Sequence, residues 1–281
     1  MSSTKKVVLL GVGQTARALA KYLSSDYHDT CQIWGTTRAA TGAALLDLNL
    51  GIQPILLNDQ DGWKQQLQEV CNGAYVLVSF PPDGVSDQLF SDILLASQPQ
   101  AVVYISSTGV YGKNEGVIDE STPVDLGDSR ALLRVKAEEI WSSQATILRA
   151  PGLYQGSSGL HLRLLNGSYR LPGDGSNYVS RIHLDDLAMI IAKAFFADSP
   201  SRLKQTYVVG DLKPTTHLEV VTWLCQRLSL PLPPSAPLTE VNPTLRGNRQ
   251  IRATKILRDL DLELKYPTYV EGFSQCLASK N

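Results

Sequence analysis

Short apolar runs alternate with amphipathic ones along the first half of the chain. Residues 7–10, 31–35, 54–57, 74–80 and 101–105 are dense in Val, Ile, Leu, Tyr and Trp and read as buried strands. Between and after them, residues 16–23, 39–50, 63–71, 85–95 and 129–141 carry apolar positions at helical spacing. A strand–helix alternation of this kind predicts an α/β fold with a parallel sheet. Beyond residue 150 the composition turns to glycine-, serine- and proline-rich loops, with helices over 187–196 and 217–228 and a strand over 207–210. The pattern predicts two domains: a nucleotide-binding domain over 1–150 and a smaller C-terminal α/β substrate domain over 151–281. Elements near 185–210 are expected to return to the main sheet.

The first strand runs into Gly11-Val12-Gly13-Gln14-Thr15-Ala16 and then a helix, the order of a Rossmann-type doubly wound dinucleotide-binding unit. Gly11 permits the tight turn, Gly13 lets the backbone approach a pyrophosphate, and Ala16 keeps helix and sheet close. Gln14 and Thr15 complete the turn, where the helix start offers N–H groups and a partial positive charge to phosphates. The second strand ends in Thr36-Thr37-Arg38, where an NAD site carries an acid for the ribose hydroxyls. Two hydroxyls and a guanidinium suit a 2′-phosphate instead, so Thr37 and Arg38 predict NADP (NADPH) ahead of NAD. Phe80 and Pro81, at the mouth of the central strand, are expected on the adenosine side.

Charge balance narrows the partners. Lys and Arg total 26 against 27 Asp and Glu in 281 residues, so no basic field draws in nucleic acid or an anionic membrane, and a small molecule is expected. Lys5-Lys6 precede only four apolar residues before glycine, so no signal peptide is expected, and no apolar run approaches a bilayer span. The four cysteines lack metal-ligand spacing; no metal is expected, and they read as reduced thiols of a cytoplasmic protein.

The fifth strand leads into Ser106-Ser107-Thr108-Gly109-Val110-Tyr111-Gly112, three hydroxyls placed to hold a substrate oxygen. Two more stretches follow: Leu148-Arg149-Ala150-Pro151-Gly152-Leu153-Tyr154 and Arg181-Ile182-His183-Leu184-Asp185-Asp186-Leu187-Ala188. With the glycine turn and the closing Lys265-Tyr266-Pro267-Thr268-Tyr269-Val270-Glu271-Gly272-Phe273, the chain resembles the extended short-chain dehydrogenase/reductases over nearly its whole length. That family includes nucleotide-sugar epimerases and dehydratases. The resemblance implies a sugar-like or nucleotide-linked substrate, with Ser107 or Thr108 on the substrate oxygen, Lys136 on the nicotinamide ribose, and Pro151 in the cofactor motif.

One position departs from the family. Its members carry Tyr-x-x-x-Lys, the tyrosine serving as acid/base, and four residues before Lys136 stands Leu132. No tyrosine lies between Tyr111 and Tyr154, so no shifted alignment restores it. Lys136 shares an i, i+4, i+8 stripe with Leu132 and Ile140, where a bound ribose would meet its charge. General acid–base catalysis typically supplies about 10²–10⁴-fold, so ordinary hydride chemistry is expected to be weak or to use Ser107, Thr108 or Tyr111. Two readings stand: an atypical NADP-dependent oxidoreductase or epimerase, and a non-catalytic NADP(H)-binding sensor or assembly factor.

The remaining features read as architecture. His183 and Asp185 are expected to form a hydrogen-bonded brace, with Asp185 as helix cap. Loops 155–159 and 171–177 have the composition of a lid over a cleft, and residues 231–237 that of a stiff surface connector. Arg246, Arg249, Arg252, Lys255 and Arg258 recur every third residue and predict a solvated basic helix, with Arg249 or Arg252 placed to reach a substrate anion.

Overall fold

A computed structural model describes residues 4–27, 30–39, 42, 50–58 and 62–278. The chain opens with β1 (Lys5–Leu10), α1 (Gln14–Asp26), β2 (Cys31–Thr37), β3 (Gln53–Leu56), α2 (Trp63–Cys71), β4 (Tyr75–Val78), α3 (Ser86–Ser97) and β5 (Ala101–Ser107). It continues through β6 (Gly116–Ile118), α4 (Ser129–Trp141), β7 (Ala145–Ala150), β8 (Gly152–Tyr154), α5 (Leu160–Leu165), β9 (Leu171–Pro172), β10 (Tyr178–Val179), β11 (Arg181–His183) and α6 (Leu184–Phe195). The last part holds β12 (Thr206–Val208), β13 (Thr215–Thr216), α7 (His217–Leu228), β14 (Ser235–Ala236), β15 (Arg249–Ile251), α8 (Thr254–Asp259) and α9 (Tyr269–Ala278). All but residues 39, 42 and 50 of the helix expected over 39–50 lie outside the described residues.

The chain forms two compact units that interleave along the sequence. Met1–Ser106, Leu133–Arg149 and Leu187–Thr206 make the first; Ser107–Leu132, Ala150–Asp186 and Tyr207–Asn281 make the second. A single boundary at 150 therefore divides both.

A seven-stranded sheet in the order β12-β7-β5-β4-β1-β2-β3 organises the first unit, with the expected return of the 206–208 segment at its edge. β1 pairs in parallel with β2 on one side and β4 on the other, with Leu9 opposite Gly35 and Leu10 opposite Val78. The carboxyl ends of three neighbouring strands thus come level at Gly11, Thr37 and Ser79, the crevice where open α/β sheets bind ligands. Val7 to Leu10 are wholly buried, as strands covered on both faces must be. Trp141, stacked on Tyr104 at 5.8 Å, fills the core between sheet and α4.

The second unit is built from short strand pairs, β6 with β15, β8 with β11, β9 with β14 and β10 with β13. Its core joins Tyr154, Tyr169, Leu171, Val220, Leu224, Tyr269 and Phe273. The 231–237 segment is more than a connector, because β14 pairs with β9 inside it. Nor do the spaced arginines form one helix. They run from a loop through β15 into α8, which begins only at Thr254. The proline at 243 and glycine at 247 interrupt helical pairing there, and β6 captures residues 249–251 instead.

Candidate functional site

The turn after β1 is fastened from two sides. Gly11 adopts φ +86°, and a Cβ added there would lie 3.0 Å from both Cβ and the backbone N of Phe80, so only glycine fits. Its N–H donates to Thr36 Oγ1 at 2.9 Å, and its carbonyl accepts from Ser79 Oγ at 2.8 Å. Gly13 is different. A side chain there would meet nothing within 4 Å. It starts α1 with no side-chain cap, and the first turn carries no acidic residue to offset the helix dipole. Gln14 is exposed, while Thr15 and Ala16 are buried against the sheet. A fixed turn, an open approach and an unneutralised helix start fit a pyrophosphate.

At the end of β2 one expected hydroxyl is already committed. Thr36 is buried and holds Gly11, because strand alternation turns it inward while Thr37 faces the other way. Thr37 Oγ1 lies 3.4 Å from the Ala39 amide, and Arg38 is left as the exposed group of the trio. Arg38 Nη2 stands 4.0 Å from Asp83 Oδ2. The Asp83 carboxylate accepts from the Val85 and Ser86 amides at 3.0 and 2.7 Å and from Ser86 Oγ at 2.6 Å. The Ser86 hydroxyl, those amides and Arg38 hold its carboxyl below the usual carboxylate range. Phe80 packs on Phe90 at 5.3 Å, and Pro81 is exposed beside it.

The three hydroxyls after β5 divide between structure and site. Ser106 is not available to a substrate, since its Oγ donates to Glu138 Oε1 at 2.6 Å. Arg149 completes this buried group, with Nε 3.0 Å from Oε1 and Nη2 2.7 Å from Oε2 of Glu138. Ser107 is partly exposed, and its Oγ accepts from the Gly109 amide at 3.0 Å, which leaves its proton free to donate. Thr108 is buried, and Tyr111 is fully buried with its hydroxyl donating to the Asp119 carbonyl at 3.0 Å.

Helix α4 turns a different face inward from the one its pattern suggests. Lys136 and Leu133 are exposed, while Ala131, Val135, Ala137, Glu138 and Trp141 are buried. The buried Glu138, held by Arg149, shifts the inner stripe away from Lys136. Leu132 and Pro151 are both partly exposed.

His183 is a brace within the second unit. It is buried, its Nδ1 accepts from the Asp185 amide at 3.2 Å, and its Nε2 faces Cys276 Sγ at 3.7 Å. Burial holds its pKa below the usual imidazole value, with Asp185 opposing. Asp185 lies inside the first turn of α6 rather than capping it. Asp186 ties the structure instead, accepting from the Lys265 and Tyr266 amides at 2.8 and 3.1 Å. Arg246 and Arg249 donate to backbone carbonyls, of Val241 and Thr239 and of Gly112 respectively. The 171–177 loop is anchored, with Asn177 Nδ2 donating to the Leu245 and Gly247 carbonyls.

Among the described residues no cluster of His, Cys, Asp and Glu could hold a metal, and no helix is long and apolar enough to cross a membrane. An open groove of about 550 Å³ beside Asn114, Val117, Pro123 and Leu126 contains none of the expected site residues.

No protein-family model matches the chain, and no curated protein matches it. Solved structures do. A conserved protein of unknown function from Silicibacter pomeroyi aligns over 98% of this chain and 99% of its own, with 28% identity and a TM-score of 0.82. The dTDP-glucose 4,6-dehydratase of Bacillus anthracis, solved with NAD, aligns over 99% and 97% at 18% identity and a TM-score of 0.76. The chain shares the α/β Rossmann-type fold of these structures. The UDP-glucuronic acid 4-epimerase of Bacillus cereus, in complex with UDP-glucuronic acid and NAD, shares that fold over 98% and 99% at 16% identity and a TM-score of 0.74.

Proposed function

We propose that the chain is an NADP(H)-binding protein whose hydride-transfer chemistry on a sugar-like or nucleotide-linked small molecule is weak or atypical. The observation that carries the binding is the open approach at Gly13 beside the fastened Gly11 turn. In this reading Gly11, Gly13, Gln14, Thr15 and Ala16 take the pyrophosphate, and Thr37 and Arg38 take the 2′-phosphate. Phe80 and Pro81 flank the adenosine, with Lys136 and Pro151 on the nicotinamide side. The nicotinamide, when bound, supplies hydride transfer. Ser107 has a proton to donate to a substrate oxygen, Thr108 stands beside it, and Leu132 can neither give nor take one. The Bacillus proteins were solved with NAD; the absence of an acid beside Arg38 on β2 is what favours NADP here. Free thiols at all four cysteines accord with a cytoplasmic setting.

A second reading, binding without turnover as a sensor or assembly factor, draws on Leu132 and on Tyr111, whose hydroxyl already serves the Asp119 carbonyl. NADPH absorbance measured with carbonyl and nucleotide-sugar panels separates the two. Little turnover is expected. A steady substrate-dependent fall that vanishes in Ser107→Ala overturns the binding-only reading. Binding itself is tested by calorimetric titration: NADPH should bind more tightly than NADH, and Arg38→Ala should erase the difference. Equal affinities in the unmutated chain would sink the NADP assignment.

A further inference from the structure

We infer that Asp83, a residue outside β2, limits how strongly the chain prefers a 2′-phosphate over a 2′-hydroxyl on its dinucleotide; the inference rests on the proposed NADP(H) site. In this fold the charge beside the adenosine ribose normally comes from the end of the second strand. Of the three residues there, Thr36 is spent on the Gly11 turn and Arg38 carries the only charge. That charge is already answered. Asp83 Oδ2 lies 4.0 Å from the guanidinium, reaching it from the loop between β4 and α3.

The two partners are held very differently. The Arg38 side chain is 80% exposed. Asp83 is fixed by the Val85 amide, the Ser86 amide and the Ser86 hydroxyl, at 3.0, 2.7 and 2.6 Å. A guanidinium on a long stem can swing toward an incoming phosphate, but the carboxylate cannot swing away. The bound 2′-phosphate thus gains Arg38 and keeps an unmoving like charge within that guanidinium's reach. A ribose 2′-hydroxyl carries no charge and meets no such penalty. The pair pulls toward NADP through Arg38 and restrains that pull through Asp83.

The test is calorimetric titration of the full chain and of Asp83→Asn with NADPH and with NADH, repeated at raised salt. Asparagine keeps the side-chain shape and an oxygen to accept from the Val85 and Ser86 amides, so the loop before α3 survives. An unchanged Tm checks this, and Asp83→Ser provides a second neutral variant. NADPH should tighten by about three- to tenfold in both variants, the scale of one partly screened charge interaction, and NADH should change little. The gain should shrink as salt rises. Unchanged NADPH affinity, or equal shifts for both dinucleotides, overturns the role of Asp83 while leaving the site intact. If the unmutated chain binds neither dinucleotide, the site reading itself fails, and this inference with it.

Discussion

At Gly11 the backbone is the constraint, since φ is +86° and Phe80 leaves no room for a methyl group. Gly11→Ala should therefore cost stability, about 1–3 kcal/mol for the strained conformation alone, read from chemical denaturation. The alternating glycines of the turn were legible because their spacing carries a mechanism. Glu138 was not. On a helical wheel it falls outside the apolar stripe, and nothing local says that Arg149 will meet it inside the protein. Only the long-range approach of β7 to α4 makes it a core residue, accepting from Ser106 and Arg149 together. Glu138→Ala should destabilise by about 3–5 kcal/mol in urea unfolding, because it strands a buried guanidinium. A loss under about 1 kcal/mol would mean the pair is effectively solvated. Thr36, expected on a 2′-phosphate, and Ser79 were not legible as the fasteners of Gly11 for a related reason: each serves a backbone group at the end of another strand.

At the scale of elements, α4 and α7 end where their sequences say, Ser129–Trp141 and His217–Leu228. The two- and three-residue strands of the second unit were illegible, since such short pairs have no periodicity and depend on partners far along the chain. β8, β11 and α9 enclose a polar interior there. Both Asp211 carboxylate oxygens, Nη1 of Arg181 and the Tyr154 hydroxyl are buried without a close hydrogen-bond partner among the described residues. Burial pushes the Asp211 carboxyl up to about 7, with Arg181 opposing, and the Asp186 carboxyl up to about 6. A carboxyl whose folded pKa is raised contributes stability that is full below its ordinary value and lost as pH rises through the folded one. His217, pushed down to about 4 by burial, acts oppositely, its contribution being lost as pH falls below the usual imidazole range. The Asp211 carboxyl therefore adds a downward slope of Tm against pH chiefly between about pH 4 and 7, opposed there by the buried His217 and His183, and adds almost nothing above about pH 8. Asp211→Asn should flatten that slope; an unchanged slope in thermal scans would contradict the assignment.

For the whole molecule, the parallel sheet follows from alternating buried strands and helices, and the fold shared with the Bacillus dehydratase and epimerase agrees. The interleaving of the two units does not follow, because compactness is a property of distant contacts. The first unit includes Leu187–Thr206, whose Leu187, Ile190, Ile191 and Phe195 are buried. A fragment ending at residue 150 lacks that helix and should show no cooperative thermal transition by circular dichroism. A sharp transition would make 1–150 an independent folding unit.

The central claim is that residues 11–16 hold a dinucleotide, and Gly13 tests it most directly. Its φ of −85° suits alanine and a methyl there touches nothing, so Gly13→Ala should leave the fold intact and lower stability by no more than about 1 kcal/mol, the N-cap preference of glycine over alanine. Calorimetric titration with NADPH should nevertheless show at least about tenfold weaker binding than in the unmutated chain, because the methyl occupies the pyrophosphate's approach. Equal NADPH affinity in the two proteins, or no binding by the unmutated chain, would contradict the account.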